Sequence, residues 1–141
     1  MKKILIIIIS LICFQSFSQD ISKDLMKKRI GQLNCTYTMT IKNGSDTSYY
    51  VSCYFQNMKY QHITDLGYVW MWSGEERDRV VSELNDCLKY VDDKTTDYSV
   101  GQFSVHGKMK GVWIYDDSKY VIQNKKTILK WINWLESVPF P

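Results

Sequence analysis

The clearest hydrophobic pattern in the chain lies between Tyr68 and Val91, where the apolar period changes from two to between three and four. This segment begins with Tyr68-Val69-Trp70-Met71-Trp72, a run dominated by aromatic and β-branched residues, which are common in strands. With a period of two, both faces of such a strand are apolar. We therefore predict a strand that lies inside a sheet and not at its edge.

A helix is predicted directly after this strand. Ser73 and Glu76 have the spacing of a capping box, in which the two side chains satisfy backbone N–H groups at the start of a helix. Apolar residues then recur at spacings of three and four along one stripe. They are Val80, Leu84, Cys87, Leu88 and Val91. We therefore predict an amphipathic helix that packs on a sheet and ends near Val91.

Two strictly alternating segments predict an antiparallel hairpin. Cys35 to Lys42 and Thr47 to Phe55 each alternate apolar and polar residues, and the turn cluster Asn43-Gly44-Ser45-Asp46 joins them. A three-residue loop sets the register. It pairs Ile41 with Thr47, Met39 with Tyr49, Tyr37 with Val51 and Cys35 with Cys53. A shift by two residues would keep the same faces matched, so the pattern favours this register without fixing it.

The other predicted elements complete an α+β fold. They are a helix over Asp20 to Ile30, a weak strand over Lys59 to Thr64, a strand over Tyr98 to His106 with a bulge at Gly101, a hairpin of Val112 to Tyr115 with Lys119 to Gln123, and a helix capped by Asn124 and ended by Pro139. We expect an antiparallel sheet of six or seven strands with two main helices on one face. The predicted order is strands, helix, strands, helix.

The first residues resemble a secretory signal peptide. Lys2 and Lys3 precede the apolar run Ile4 to Phe14, and Ser16-Phe17-Ser18 supplies the small residues of a cleavage site. We predict a signal peptide over 1–18, one domain over 19–141, and export to the periplasm or outside the cell. The alternatives are an uncleaved anchor and a lipoprotein modified at Cys13.

Removing residues 1–18 changes the charge balance. The whole chain has 18 basic and 15 acidic residues, and the loss of Lys2 and Lys3 leaves 16 against 15, a net charge of +1. The one basic cluster is Lys27-Lys28-Arg29. We therefore expect no nucleic-acid partner, and no later segment is long enough to span a membrane.

Three cysteines remain after the predicted cleavage. In the favoured register Cys35 lies opposite Cys53, so we predict a disulfide between them and a buried thiol at Cys87. The rival pairing joins Cys53 to Cys87, because the hairpin is expected to pack under the helix that carries Cys87.

Candidate chemistry is sparse. His62 and His106, the only two histidines, could form an acid–base site with Asp65, which would suit a small hydrolase. No spacing typical of a metal site and no cofactor motif is present, and we predict neither a metal nor a cofactor. We favour a non-catalytic protein and keep the hydrolase as the alternative.

The best predicted contact surface is the polar face of the hairpin. Tyr50 and Tyr54 share it with Thr36, Thr38 and Thr40. Tyrosine offers apolar area with a polar tip, which suits contact with a protein or a glycan, although threonine and tyrosine also favour strands for purely structural reasons. We therefore expect an exported binding or accessory domain, such as an inhibitor or an envelope-associated protein, with an unknown macromolecular partner and an unknown oligomeric state.

Overall fold

The computed structural model describes residues 20–60 and 64–141. The predicted signal peptide and His62 lie outside these ranges. The described elements are β1 (Ile21–Ile30), β2 (Leu33–Lys42), β3 (Asp46–Gln56), β4 (Leu66–Met71), α1 (Gly74–Tyr90), β5 (Tyr98–Val100), β6 (Phe103–His106), β7 (Met109–Asp116), β8 (Lys119–Gln123) and α2 (Lys125–Glu136).

The strands form two antiparallel sheets. Sheet A has the order β1-β2-β3-β4 and sheet B the order β5-β6-β7-β8. The α+β class with antiparallel sheets is therefore confirmed. A single sheet of six or seven strands is not confirmed, because the eight strands of the described residues divide into two groups of four.

The prediction of a helix over Asp20 to Ile30 is wrong, since this segment forms β1 and pairs along the length of β2. The register shifts between Asp24 and Met26, which leaves Leu25 without a partner and breaks the alternation that would have indicated a strand. Thr38 donates a hydrogen bond to Asp24 (2.9 Å) and fixes the pairing at this point. Pairing with a neighbouring strand has therefore overridden the local pattern.

The predicted hairpin is confirmed in its register. β2 and β3 pair Ile41 with Thr47, and the matching extends to Cys35 opposite Cys53. Asn43 and Gly44 have φ angles of 51° and 74°, which is the left-handed region that glycine and asparagine tolerate best. The turn therefore has the residues that its backbone needs.

The two main predicted helices are present, and their apolar faces form the core with the inner faces of the sheets. Ser73 caps α1, as predicted, by accepting a hydrogen bond from the backbone N–H of Glu76 (3.2 Å), and Asn124 caps α2. The indole of Trp131 on α2 is fully buried. It meets Phe103 of sheet B edge-on and donates a hydrogen bond to Cys53 of sheet A (3.3 Å), so one side chain contacts both sheets.

Buried Asn57 joins the two sheets at the end of β3. Its side chain donates to the carboxylate of Asp65 (2.8 Å) and accepts the backbone N–H groups of Lys59 (3.1 Å) and Tyr120 (3.3 Å), the last of which belongs to β8. Because this buried side chain bonds to groups at the end of β3 and on β8, it fixes the relative position of the two sheets.

Two smaller predictions differ from the structure. The predicted strand over Tyr98 to His106 is a hairpin of β5 and β6, because the chain reverses at Gly101 and pairs Val100 with Phe103. The φ of Gly101 is 55°, which suits a two-residue turn with glycine first. In the predicted strand over Lys59 to Thr64, the described residues are not in a strand. None of the described helices is long and apolar enough to cross a membrane.

Candidate functional site

The outer face of sheet A points away from both helices and carries a regular grid of side chains. Each row crosses the four strands, which are about 4.8 Å apart, so a row is about 14 Å wide. One row holds Arg29, Asn34, Tyr54 and Tyr68, and the next holds Lys27, Thr36, Ser52 and Trp70. The face is therefore basic along β1, hydroxyl-rich in the middle and aromatic along β4.

Three aromatic rings follow one another along β4. We call Tyr68, Trp70 and Trp72 the aromatic ladder. The ring of Trp70 lies 5.5 Å from that of Tyr68 and 5.6 Å from that of Trp72, with interplanar angles of 16° and 10°. These offset stacks each add about 0.5–1.5 kcal/mol beyond simple burial, which helps to keep the ladder ordered at the surface.

The ladder is exposed, and the prediction that this strand lies inside a sheet is wrong. β4 is the last strand of sheet A, and Trp70 and Trp72 keep 43% and 59% of their surface exposed. Val69 and Met71, on the other face of the strand, are buried in the core. Both faces of β4 are therefore apolar for different reasons: one packs in the core, and the other carries aromatic rings that stack on each other at the surface.

Side chains from other elements cap the free edge of β4. Asp116 accepts the backbone N–H of Tyr68 (3.0 Å), Lys119 donates to the carbonyl of Leu66 (2.8 Å), and Glu76 accepts the N–H of Trp72 (2.6 Å). Charged groups at a sheet edge oppose the addition of another strand. Contact with a ligand is thus directed to the face of the strand and not to its edge.

A notch opens between Tyr50 and Tyr54 in the middle of the outer face. These two residues are four apart on β3, and the small side chain of Ser52 lies between them beside Thr36. The cavity here has a volume of about 410 Å³, and side chains of β1, including Lys27, complete its lining. Tyr50 also packs against the ladder, 5.0 Å from Trp72 and 5.7 Å from Trp70. The notch and the ladder are therefore one continuous surface.

A second cavity of about 410 Å³ continues the notch towards the end of β3. Both cavities are lined by Arg29, Asn34 and Tyr54, and the second adds the amide side chains of Gln32 and Gln56. Exposed Tyr54 stands between the two cavities. Together they form a groove along the basic side of the outer face.

The predicted contact residues all lie on this face, but two are covered. Tyr54 is exposed and Thr36 is half-buried, whereas Thr38 and Thr40 retain 3% and 8% of their surface. The hydroxyl of Thr38 donates to Asp24, and that of Thr40 shares a hydrogen bond with Ser22 (3.0 Å), both on β1. Both threonines are therefore covered by β1, the segment for which the sequence pattern predicts a helix.

The charges on β1 are unevenly paired. Asp24 contacts Lys27 (2.6 Å) and accepts a hydrogen bond from Thr38; these interactions, led by that with Lys27, lower the pKa of the Asp24 carboxyl below its usual value. Within the described part of the chain, Arg29 makes no ion pair. The groove therefore keeps a positive end beside Tyr54.

Among the described residues, two of the hydrolase candidates, Asp65 and His106, have separate partners. Asp65 contacts Asn57 and Lys119 (3.4 Å), whereas the ring of His106 lies against Trp113 on the outer face of sheet B. No described contact joins Asp65 to His106, and His62 lies outside the described residues.

His106 has partners of its own, which the sequence did not indicate. Its Nε2 atom is 3.0 Å from the hydroxyl of Ser104, and its Nδ1 atom is 3.9 Å from the carboxylate of Asp97. A cavity of about 560 Å³ adjoins His106, Asp97 and Trp113. Ser104, however, is buried and does not line this cavity, so a substrate in the cavity would not meet its hydroxyl.

The three cysteines within the described residues are buried thiols. Cys35 and Cys53 are directly opposite each other, and burial, followed by the neighbouring Cys35 thiol, raises the pKa of Cys53 well above its usual value. Burial also raises the pKa of Cys87 to about 11, and nearby Asp86 and Glu83 add to the effect. A thiol with a raised pKa is a poor nucleophile.

Neither family models, curated proteins nor solved structures gave a match to this chain. Among residues 20–60 and 64–141, no group of three histidine, cysteine, aspartate or glutamate side chains is placed to hold a metal ion. The function must therefore be inferred from the surface itself.

The exposure of the ladder and the basic strand β1 do not follow from the sequence pattern. The alternation of Tyr68, Trp70 and Trp72 predicts a strand inside a sheet, and Lys27-Lys28-Arg29 falls in a segment for which the pattern predicts a helix.

Proposed function

We propose that this protein is an exported, non-catalytic domain that binds a macromolecule on the outer face of sheet A. The observation that carries the proposal is the exposed aromatic ladder. A surface strand can form without side chains as large as those of Trp70 and Trp72. Aromatic side chains are enriched where proteins bind their partners.

The shape of the surface supports an extended ligand. The ladder, the notch and the groove adjoin one another, and the groove alone comprises two cavities of about 410 Å³ each. Because the rings of the ladder stack on each other and Tyr50 packs against them, the surface is preformed. A ligand would order few side chains on binding, which lowers the entropic cost of association.

Export to the periplasm or outside the cell is part of the same proposal. It rests on the signal-like residues 1–18 and on the placement of Cys35 opposite Cys53, which would allow a disulfide in an oxidising compartment. An inhibitor or an envelope-associated accessory protein would have these properties.

The proposal is tested by screening the purified protein against a panel of envelope and extracellular glycans and proteins. Each ligand found is then measured against the double variant Trp70→Ala/Trp72→Ala. Leu129→Ala is the matched control, because Leu129 is 44% exposed, close to the 43% of Trp70, but lies on α2. We expect the double variant to lose binding and the control to keep it. A ligand that binds the double variant and the wild type equally would refute the proposed surface.

A further inference from the structure

We infer that the ligand of the outer face of sheet A is an acidic polysaccharide, and that the notch between Tyr50 and Tyr54 takes one of its uronate units. This inference rests on the proposed function and names the class of its ligand. In this arrangement, the sugar ring lies against Tyr54 and its carboxylate points to Arg29.

The shape of the notch supports a ring-sized occupant. Tyr50 and Tyr54 stand on the same side of β3, about 13 Å apart along the strand, and only Ser52 lies between them on this face. Trp70 is the cross-strand neighbour of Ser52, so the ladder begins directly beside the notch on the side of β4. A flat aromatic wall meets the C–H groups of a sugar ring well, because it offers apolar area without requiring a particular hydrogen bond.

The polar groups of the notch match a ligand rich in hydroxyl groups. Thr36 and Ser52 face each other across β2 and β3 and supply hydroxyls that both donate and accept. Asn34, in the next row, adds an amide with the same double capacity. Such groups can bind several sugar hydroxyls in different orientations, which suits a polymer of repeated units.

The charge of the groove indicates that the sugar is acidic. Lys27, Lys28 and Arg29 line the first cavity together with a single carboxylate, that of Asp24. Asp24 is already held by Lys27 and Thr38, so it is occupied within the sheet. Arg29 lines both cavities and has no ion pair in the described ranges. A guanidinium in this position can bind a carboxylate through two parallel hydrogen bonds.

An extended acidic peptide is the main rival, and the capped edge of β4 argues against its addition as a strand beside the ladder. Peptides commonly bind an exposed sheet by adding a strand to its edge. Asp116, Lys119 and Glu76 already occupy backbone groups along that edge. A polysaccharide needs no backbone pairing and can lie across the face, where the notch and the ladder are.

Calorimetric titration of the purified protein with three polymers tests the inference. Polygalacturonate supplies uronate units, its methyl ester has the same backbone without the charge, and poly-L-glutamate has carboxylates without sugar rings. We expect polygalacturonate to bind at least tenfold more tightly than either of the other polymers. We also expect Arg29→Gln to lower the affinity for polygalacturonate about tenfold, towards that of the methyl ester.

The controls separate this inference from the proposed function. Lys130→Gln removes an exposed cation from α2, away from the groove, and should leave the affinity unchanged. Equal affinity for poly-L-glutamate, an unaffected Arg29→Gln variant, or no binding of polygalacturonate would overturn the inference. The proposed function would survive each of these results if another ligand depended on Trp70 and Trp72. It would fall if the double variant of the ladder bound every ligand as the wild type does.

Discussion

A disulfide between Cys35 and Cys53 should form when the protein folds in an oxidising buffer. The two residues are cross-strand partners in β2 and β3, so the bridge would join backbone positions that the fold already holds together. Cys87 lies on α1 and should remain a thiol. The perturbation is therefore simple: the protein is refolded with or without a glutathione redox buffer.

The expected gain in stability follows from the length of the closed loop. The bridge would enclose residues 35–53, a loop of about 20 residues. In the chain-entropy model, a loop of this size stabilises the folded state by about 3 kcal/mol. For a domain of this length, that corresponds to a rise in Tm of about 10 °C.

The burial of the thiols adds a kinetic expectation. Cys35 and Cys53 are buried, and burial raises the pKa of Cys53, so the folded dithiol should react slowly with an oxidant. Oxidised glutathione added during refolding should give the bridge, whereas the same oxidant added to the folded, reduced protein should give little of it within the same time.

Peptide mapping without reduction and urea unfolding give the result. We expect Cys35 linked to Cys53, Cys87 alkylated only after unfolding, and a free energy of unfolding about 3 kcal/mol higher than that of the reduced protein. Three free thiols after oxidative refolding, or a bridge between Cys53 and Cys87, would show that the reasoning from the register is wrong.

Three further predictions concern the junction of the sheets, the loop after α1 and the ladder. Asn57→Ala should lower the free energy of unfolding by about 2–4 kcal/mol, because it removes three hydrogen bonds made by a buried side chain; exposed Asn85→Ala should cost far less in the same urea titration. Hydrogen bonds from Thr96 and Thr95 lower the pKa of Asp93 to about 2, so this carboxylate stabilises the fold above its unfolded pKa of about 3.9, and the contribution is lost as the pH falls towards 2. Asp93→Asn should flatten the decrease in Tm across that interval, and an unchanged slope would contradict the assignment. Acrylamide should quench much less fluorescence in the Trp70→Ala/Trp72→Ala variant than in the wild type.

The local parts of the fold could be predicted from the sequence, because short-range patterns specify them. The β2–β3 hairpin follows from strict alternation and an Asn-Gly turn, and α1 follows from its cap at Ser73 and its apolar stripe. The division into two sheets depends on which strands meet in space. Buried Asn57 connects the sheets, but no local sequence pattern indicates that it bonds to Tyr120.

The candidate site was only partly predictable, for two physical reasons. Leu25 has no partner in the pairing of β1 with β2, so the alternation is interrupted there. The sequence of this basic strand therefore predicts a helix. Large apolar residues usually indicate burial, but Trp70 and Trp72 instead stack on each other and remain exposed. The alternation of their strand does predict that Tyr50 and Tyr54 share the outer face of sheet A.

The indole N–H signals in an NMR titration show whether the outer face of sheet A binds the ligand. The chain has five tryptophans, of which two belong to the ladder, one lines the cavity beside His106 on sheet B, and two are buried on α2. With polygalacturonate or any ligand found by screening, Trp70 and Trp72 should shift while Trp113, Trp131 and Trp134 stay in place. A titration in which Trp113 shifts and the two ladder signals do not would place the ligand on sheet B and contradict the account.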